Sequence, residues 1–402
     1  MPAEDSDAIQ RFLTEMPRAL ATYGTPAHRL EEAMVMCAEK LGQTAEFFSM
    51  PTAVICAIGE GDQTRTHMVR VIPGEVDLEK LDRVDAILGQ VLRGELSPRE
   101  ALGAIEHVRR MPTRYPLPIT VASFAVAGGC AVRFFAGSWT DALAATALGL
   151  IVGLLGLAAG RFRQTARVTD FVSGLIAALI ATLLAGRVQA LTPGVVVISS
   201  LIVLVPGLTL TTAINELATR NLVAGTARSM HAVMILLSIG FGVGTGQAIA
   251  ASWALEPVPG SPMPAWTEPI AIVLVPLALT VLFRARPRDV LVIVPAAVVG
   301  YYGARFGTAL VGPELGSCLG AFAVGLFGNG YARLSRRPTA ITLVPGIMLL
   351  VPGAVGYTSV TSFMAGDVLT GVEAAFRMVI VATGIVIGLL LANVLLPSRQ
   401  SL

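Results

Sequence analysis

The sequence predicts an α-helical polytopic membrane protein with about ten transmembrane helices in two inverted five-helix repeats, preceded by an N-terminal α+β cytoplasmic domain. Three observations lead there. Of 402 residues, 54% are hydrophobic and only 14% charged, with a mean hydropathy of +0.71; soluble domains average roughly 25% charge. The charge is unevenly placed. Residues 1–115 hold 18 acidic and 13 basic residues, a net of −5, and residues 116–402 hold 9 and 16, a net of +7. Finally, Val-Pro-Gly occurs twice within apolar stretches 146 residues apart, at Val205-Pro206-Gly207 and Val351-Pro352-Gly353. Proline removes a backbone donor and glycine relaxes the backbone, so each copy should interrupt a helix. In lipid such a break is tolerated only against protein or water. Matching breaks in two halves of a chain point to a transporter binding site.

The expected domains are 1–115, a cytoplasmic α+β unit, and two five-helix membrane repeats, 116–252 and 253–402. In the first, Ile9, Phe12, Leu13, Met16 and Leu20 recur at helical spacing over 8–23. Thr25-Pro26 opens a second helix with Leu30, Ala33, Met34 and Cys37 on one face. Three short strands follow, around Phe47-Phe48, at 52–58 and at 64–72, separated by Pro51 and by Gly59-Glu60-Gly61-Asp62. Helices are expected over 77–92 and 98–109, the latter capped by Ser97 with Pro98 in its first turn. Met1 to Gln10 is polar and acidic, without the basic start and apolar run of a cleaved signal peptide. Cys37, Cys56, Cys130 and Cys318 have no metal or pairing spacing and read as small buried hydrophobes.

Apolar stretches at 117–136, 140–160, 169–187, 193–213, 228–252, 268–284, 289–305, 308–330, 339–361 and 371–396 are the expected spans. The proline-rich segment 253–267 lacks Lys and Arg and leaves five on each side. With the N-terminal domain inside, twelve arginines fall in inside loops or the tail: 161, 163, 167, 220, 228, 284, 286, 288, 333, 336, 337 and 399. Only Arg133, Arg187, Arg305 and Arg377 fall outside. That bias satisfies the positive-inside rule and places the C-terminus inside too. Five spans per half is odd, so the halves should run in opposite senses.

The segments after the breaks carry the candidate site. Pro206, Gly207, Pro352 and Gly353 make the interruptions. Thr209, Thr211, Thr212, Thr358, Ser359, Thr361 and Ser362 offer hydroxyls that either bind a substrate carboxylate beside half-helix N-termini or bond back to their own helix. Glu216, beside Asn215, either binds an ammonium group or a proton, or is a solvated helix-end charge. Asp367 stands in the corresponding region of the second half. His231, at the start of span five, is a candidate proton relay or an interfacial polar residue. Glu373 and Arg377, four apart, are expected to pair along their helix. The glycines at 149, 153, 156 and 160 and at 240, 242, 244 and 246 suit close helix packing better than a nucleotide loop.

With these residues, the chain resembles the threonine/serine exporter family of bacterial ten-span transporters. The resemblance runs from Pro51-Thr52 and Val76-Asp77-Leu78, through Leu204-Val205-Pro206-Gly207, to Pro345-Gly346 and Leu350-Val351-Pro352-Gly353. It implies a secondary active exporter of small amino acids, threonine and serine first, coupled by proton antiport in the bacterial cytoplasmic (inner) membrane. Split relatives imply dicarboxylate export as the alternative. Where the family usually has Asp, this chain has Glu216, a carboxylate of longer reach. The partners implied are an amino-acid substrate, protons and the lipid bilayer, without nucleic acid or cofactor, and with room for a homo-oligomer. No Walker motif is present, which argues against ATP as the driving force, and no nucleophile–base pair or metal spacing marks an enzyme. A channel, or a membrane-anchored enzyme or sensor working through its soluble domain, is the reading from another class.

Overall fold

The structure, a computed structural model, describes residues 3–72, 74–161 and 168–397. Among the expectations above, Arg163, Arg167 and Arg399 lie outside them.

The N-terminal domain has four helices and one sheet; the first two helices pack on the sheet, and the third and fourth pack on the first. Helix α1 (Ala3–Thr22) buries Phe12, Leu13, Met16 and Leu20 completely, so its helical period lies on the core side. Helix α2 (Ala27–Lys40) buries Leu30, Ala33, Met34 and Cys37. Strands β1 (Ala45–Met50), β2 (Ala53–Ile58) and β3 (Arg65–Arg70) form an antiparallel sheet in chain order, with Phe47 opposite Cys56 and Cys56 opposite His67. Burial pushes the thiols of Cys37 and Cys56 up to about 12, so both are packing groups. Helix α3 (Leu78–Leu92) starts where Asp77 accepts the Lys80 N–H at 3.0 Å. Helix α4 (Pro98–Arg110) starts on a capping box made by Ser97 and Glu100. The core does not stop at the domain edge: Ala285 and Ile293, from far along the chain, belong to it, and Phe283, Ala340 and Val344 pack on it.

Twelve helices follow: α5 (Leu117–Phe134), α6 (Trp139–Arg161), α7 (Thr169–Leu184), α8 (Pro193–Leu201), α9 (Gly207–Ala218), α10 (Leu222–Ala250), α11 (Thr267–Leu282), α12 (Val290–Val311), α13 (Pro313–Ser335), α14 (Ala340–Ile347), α15 (Gly353–Met364) and α16 (Val368–Leu395). Each of the ten expected stretches is largely helical, but among the described residues only five helices are long and apolar enough to cross a membrane alone: α5, α6, α10, α12 with its leading turn, and α16. The shortfall has physical causes. Helices α7 and α11 have 16 residues each, about 24 Å of helix against a hydrocarbon core of about 30 Å. The fourth and ninth stretches are cut in two, α8/α9 and α14/α15, at the Val-Pro-Gly positions. Helix α13 is long enough but carries Glu314, Asn329 and Arg333.

Neighbour relations recur between the halves. Helix α7 lies along α10 as α13 lies along α16, α9 on α10 as α15 on α16, and α6 on α8 as α12 on α14. Across the halves, α10 touches α15 and α16 touches α9, while α5 packs on α11. The glycines of α10 serve packing, as expected: a Cβ at Gly242 or Gly246 would run into the backbone of α7 at Phe171 or Leu175.

Candidate functional site

The two breaks have one local geometry. Pro206 caps α9 at φ −80°, ψ 45°, and Pro352 caps α15 at φ −79°, ψ 29°. Before them, Leu204 N–H donates to Leu201 O and Leu350 N–H to Ile347 O, both at 2.8 Å. After them, Leu210 N–H reaches Pro206 O and Gly356 N–H reaches Pro352 O, both at 3.0 Å. Four half-helix ends are therefore built the same way, two C-termini (α8, α14) and two N-termini (α9, α15).

The breaks also touch. A Cβ on Gly353 would stand 2.7 Å from Val205 Cγ1 and 3.5 Å from Gly207 Cα. A Cβ on Gly207 would collide with Val351 Cγ1 and lie 3.3 Å from the Gly353 nitrogen. Each glycine thus receives the valine of the other break, an exchange that no side chain larger than hydrogen permits. Pro206, Gly207, Pro352 and Gly353 are all buried at this crossing. No Lys, Arg, Asp or Glu occurs within 201–212 or 347–358, so the polar character there is that of backbone ends and hydroxyls.

The hydroxyls divide. Thr211 bonds back to Gly207 O at 3.1 Å, Thr358 to Ala354 O at 3.0 Å and Thr361 to Tyr357 O at 3.0 Å. Ser359 is buried and ties α15 to α16 by donating to Gly371 O at 2.7 Å. Thr209 and Thr212 are half-buried on α9. Asp367 is exposed and caps α16, accepting the Thr370 N–H at 3.2 Å. His231 is exposed on α10, within electrostatic reach of Asp170. Arg377 does not pair along its helix with Glu373; it reaches Glu314 on α13 at 3.2 Å, because the packing of α13 on α16 offers a closer carboxylate.

Glu216 is fully buried, away from the breaks and at the N-terminal domain. Its two oxygens accept from Arg228 Nε at 3.0 and 2.9 Å, and Oε1 also accepts the Ala27 N–H at 3.1 Å. Ala27 is the first residue of α2, so the carboxylate closes an open helix N-terminus. Asn215, its neighbour, is half-buried.

Beyond the apolar packing of Phe283, Ala285, Ile293, Ala340 and Val344, the domain contact is held by ion pairs and hydrogen bonds. Helices α11 and α13 each end on an arginine in the left-handed region, Arg284 at φ 52° and Arg336 at φ 54°, turning the chain toward the domain. Arg337 then grips Asp82 at 2.9 and 3.1 Å and Asp289 at 2.6 and 3.1 Å. Arg286 meets Asp82 at 2.8 Å and Arg284 meets Glu75 at 2.7 Å. Leu78 N–H donates to Phe283 O at 3.0 Å, and Arg29 to Thr339 Oγ1 at 2.9 Å. The sequence reading counted these arginines only as topology signals. Their partners Asp77, Glu79 and Asp82 are legible as acidic residues at the start of and along α3, but nothing local says what they face. Two buried carboxylates also went unremarked, Asp141 at the start of α6 and Asp289 before α12; Asp141 accepts the N–H groups of Ser138 and Thr192 at 2.8 and 2.6 Å.

Burial, reinforced by Asp82, pushes Asp85 up to about 7. Folding therefore tightens its hold on a proton. Below about pH 4 both folded and unfolded chains are protonated and no penalty exists; from there to about pH 7 stability falls, by up to about 4 kcal/mol. Asp85→Asn should remove this loss. Thermal unfolding at pH 4 and pH 8 is expected to show the variant gaining on the parent far more at pH 8 than at pH 4; an equal difference at both values would contradict it.

Two family profiles match the chain. One, described as "Putative threonine/serine exporter", covers residues 11–250; the other, described as "Threonine/Serine exporter, ThrE", covers residues 268–395. Among curated proteins, the chain is similar to "Pheromone-regulated membrane protein 10" of Candida albicans strain WO-1, with 29% identity over 89% of this chain and 33% of the relative. The protein of that name from Eremothecium gossypii is 28% identical over 93% of this chain and 51% of its own length. An uncharacterized protein of Schizosaccharomyces pombe is 26% identical over 91% and 49%. The chain thus spans a third to a half of the length of these relatives. No solved structure matches it.

Proposed function

The chain belongs to the threonine/serine exporter family, and from that premise we propose that it is a secondary active exporter of small zwitterionic amino acids, threonine and serine first, driven by proton antiport. The crossing of the two breaks is the observation that carries the substrate class. Helix N-termini favour negative charge and C-termini positive charge. Ends of both kinds converge where no ionised side chain competes, which suits a molecule carrying one carboxylate and one ammonium. A dicarboxylate would need cationic groups that 201–212 and 347–358 lack.

The proposal extends to the membrane arrangement. The ten helical stretches, with α8/α9 and α14/α15 as broken spans, make two repeats of opposite sense, 116–252 and 253–402. The recurring neighbour relations and the exchange of Val205 and Val351 between the breaks support this reading. Arg133 and Arg305 both meet Glu268, as three residues of one outer face would. Arg228, Arg284, Arg286 and Arg337 all meet the N-terminal domain or its contacts, as inner residues would. The domain and C-terminus are then cytoplasmic. The relatives compared are fungal, so the comparisons lend no support to a bacterial inner membrane. In this conformation the crossing is closed, and alternating access requires the breaks to part. Glu216 enters as a coupling residue through α9 and the domain; carrying a proton would first require Arg228 to withdraw.

The test is flux in proteoliposomes with an imposed pH gradient and a panel of threonine, serine, larger amino acids and succinate. Threonine and serine efflux should rise with the gradient. Succinate carried in their place would overturn the substrate class, and flux indifferent to the gradient would indicate a channel.

A further inference from the structure

The contact between the N-terminal domain and the α11–α12 loop borders an open cleft of about 390 Å³ lined by Arg83, Arg114, Arg286, Pro287 and Arg288. Its volume is in the range of ligand clefts. The positive charge there is incompletely matched. Glu79 alone serves Arg83 at 2.9 Å and Arg114 at 2.6 Å and lies 3.8 Å from Arg286. The hydrogen bonds from Arg114 hold Glu79 down to about 2, despite its burial. Arg288 is the freest of the four: two thirds exposed, with Asp289 3.9 Å away as its nearest carboxylate. Asp289 is already engaged by Arg337. Two guanidinium nitrogens, Arg83 Nε and Arg286 Nε, are buried without a hydrogen-bond partner. Arg286 is held below the ordinary arginine range by burial, with Arg288, Arg337 and Arg83 adding to the effect. An adjoining cleft of about 510 Å³ shares Arg83, Arg286 and Arg288 and adds Arg336 and Arg337. Among the described residues, the six arginines Arg83, Arg114, Arg286, Arg288, Arg336 and Arg337 of the two clefts face four carboxylates, Glu79, Asp82, Asp85 and Asp289, of which Asp85 makes no ion pair.

We propose that this cleft binds a phosphate-bearing anion, clamped between Arg83 and Arg114 on the domain side and Arg286 and Arg288 on the loop. Guanidinium groups present forked donors that match phosphate oxygens, and an anion supplies the missing counter-charge. Because the lining comes from both sides of the contact, occupancy pins the domain to the membrane helices. The chemistry is shared by two sources, a free phosphate or phosphorylated solute and the headgroup of an anionic phospholipid, and the experiment separates them.

The full chain is placed in phosphatidylcholine nanodiscs and titrated with inorganic phosphate at constant ionic strength set by chloride, with thermal unfolding as readout. A parallel series replaces part of the phosphatidylcholine by phosphatidylglycerol without phosphate. A rise in unfolding temperature with phosphate identifies a soluble ligand; a rise only with phosphatidylglycerol identifies a headgroup. Arg288→Gln is expected to weaken the response about tenfold in midpoint concentration, as loss of one charge-assisted bond does. Arg83→Gln combined with Arg288→Gln should abolish it, and Arg65→Gln on β3, outside the cleft, should leave it intact. If the double variant does not fold, Arg288→Gln carries the test, since its side chain is mostly exposed. The proposal is overturned by no response in either series beyond that to chloride, by Arg288→Gln responding like the parent, or by Arg65→Gln losing the response equally.

Discussion

Gly207→Ala is expected to lower transport about tenfold or more, the rate equivalent of about 1.4 kcal/mol, while the chain still reaches the membrane. The new methyl group would collide with Val351 Cγ1 and press on the Gly353 nitrogen. Overpacking of this kind costs about 1–3 kcal/mol when the neighbours must shift, and here the nearest neighbour is the Val351 side chain, backed by the Gly353 nitrogen at 3.3 Å. Gly353→Ala should act in the same direction more mildly, because its Cβ would stand 2.7 Å from Val205 Cγ1. The reciprocal geometry makes the rescue specific. Val351→Ala should restore much of the flux of Gly207→Ala, and Val205→Ala that of Gly353→Ala, with no rescue in the crossed combinations. Flux is read in proteoliposomes at equal protein content. Parental flux in Gly207→Ala would remove the crossing from the transport path, and rescue by the wrong valine would remove the contact as the cause.

The second large effect is at the ion pair of Glu216. Arg228→Met leaves a fully buried carboxylate with the Ala27 N–H as its remaining partner. Breaking a buried pair from one side costs about 3–5 kcal/mol. Because the Arg228 side chain is 25% exposed, the lower end, about 3 kcal/mol, is the expected value. Glu216→Gln should cost less, about 1–2 kcal/mol, since its amide oxygen can still accept from Ala27. Both should loosen α2 from α9 before the membrane helices melt, so amide exchange over Ala27–Lys40 should quicken in detergent or nanodiscs. If that exchange is unchanged in Arg228→Met, Glu216 does not hold the domain. Transport separates its other roles: a proton carrier lost in Glu216→Gln would spare substrate exchange while ending gradient-driven export, and a latch would slow both.

Much of the architecture was legible because it rests on local rules. The periods of α1 and α2, the caps at Asp77 and Ser97, the alternation in the strands and the apolar length of the ten stretches all act within a few residues. The breaks were legible too, since proline and glycine speak for themselves. What lay hidden were relations between distant residues. Nothing near Val205 says that Gly353 receives it, and nothing near Glu216 names Arg228 or Ala27. The sequence offers the twelve arginines only as a population expected on one side, whereas Arg284, Arg286 and Arg337 have specific carboxylate partners that only the folded chain brings within reach. Asp367 and Thr361 looked like site residues by composition, whereas geometry gives Asp367 a capping bond and Thr361 a bond to its own helix.

The acidic face of α3 also has a history within a single round of synthesis. Asp77 and Asp82 leave the ribosome some two hundred residues ahead of Arg284, Arg286 and Arg337. At about 5–20 residues per second, the delay is on the order of 10–50 s. For that interval the first-made part of the chain, net −5 over residues 1–115, carries its acidic residues without these counterparts. The pairs of Arg284 with Glu75 and of Arg286 and Arg337 with Asp82 can form only after the second half has been made, so the domain contact is among the last features that synthesis completes.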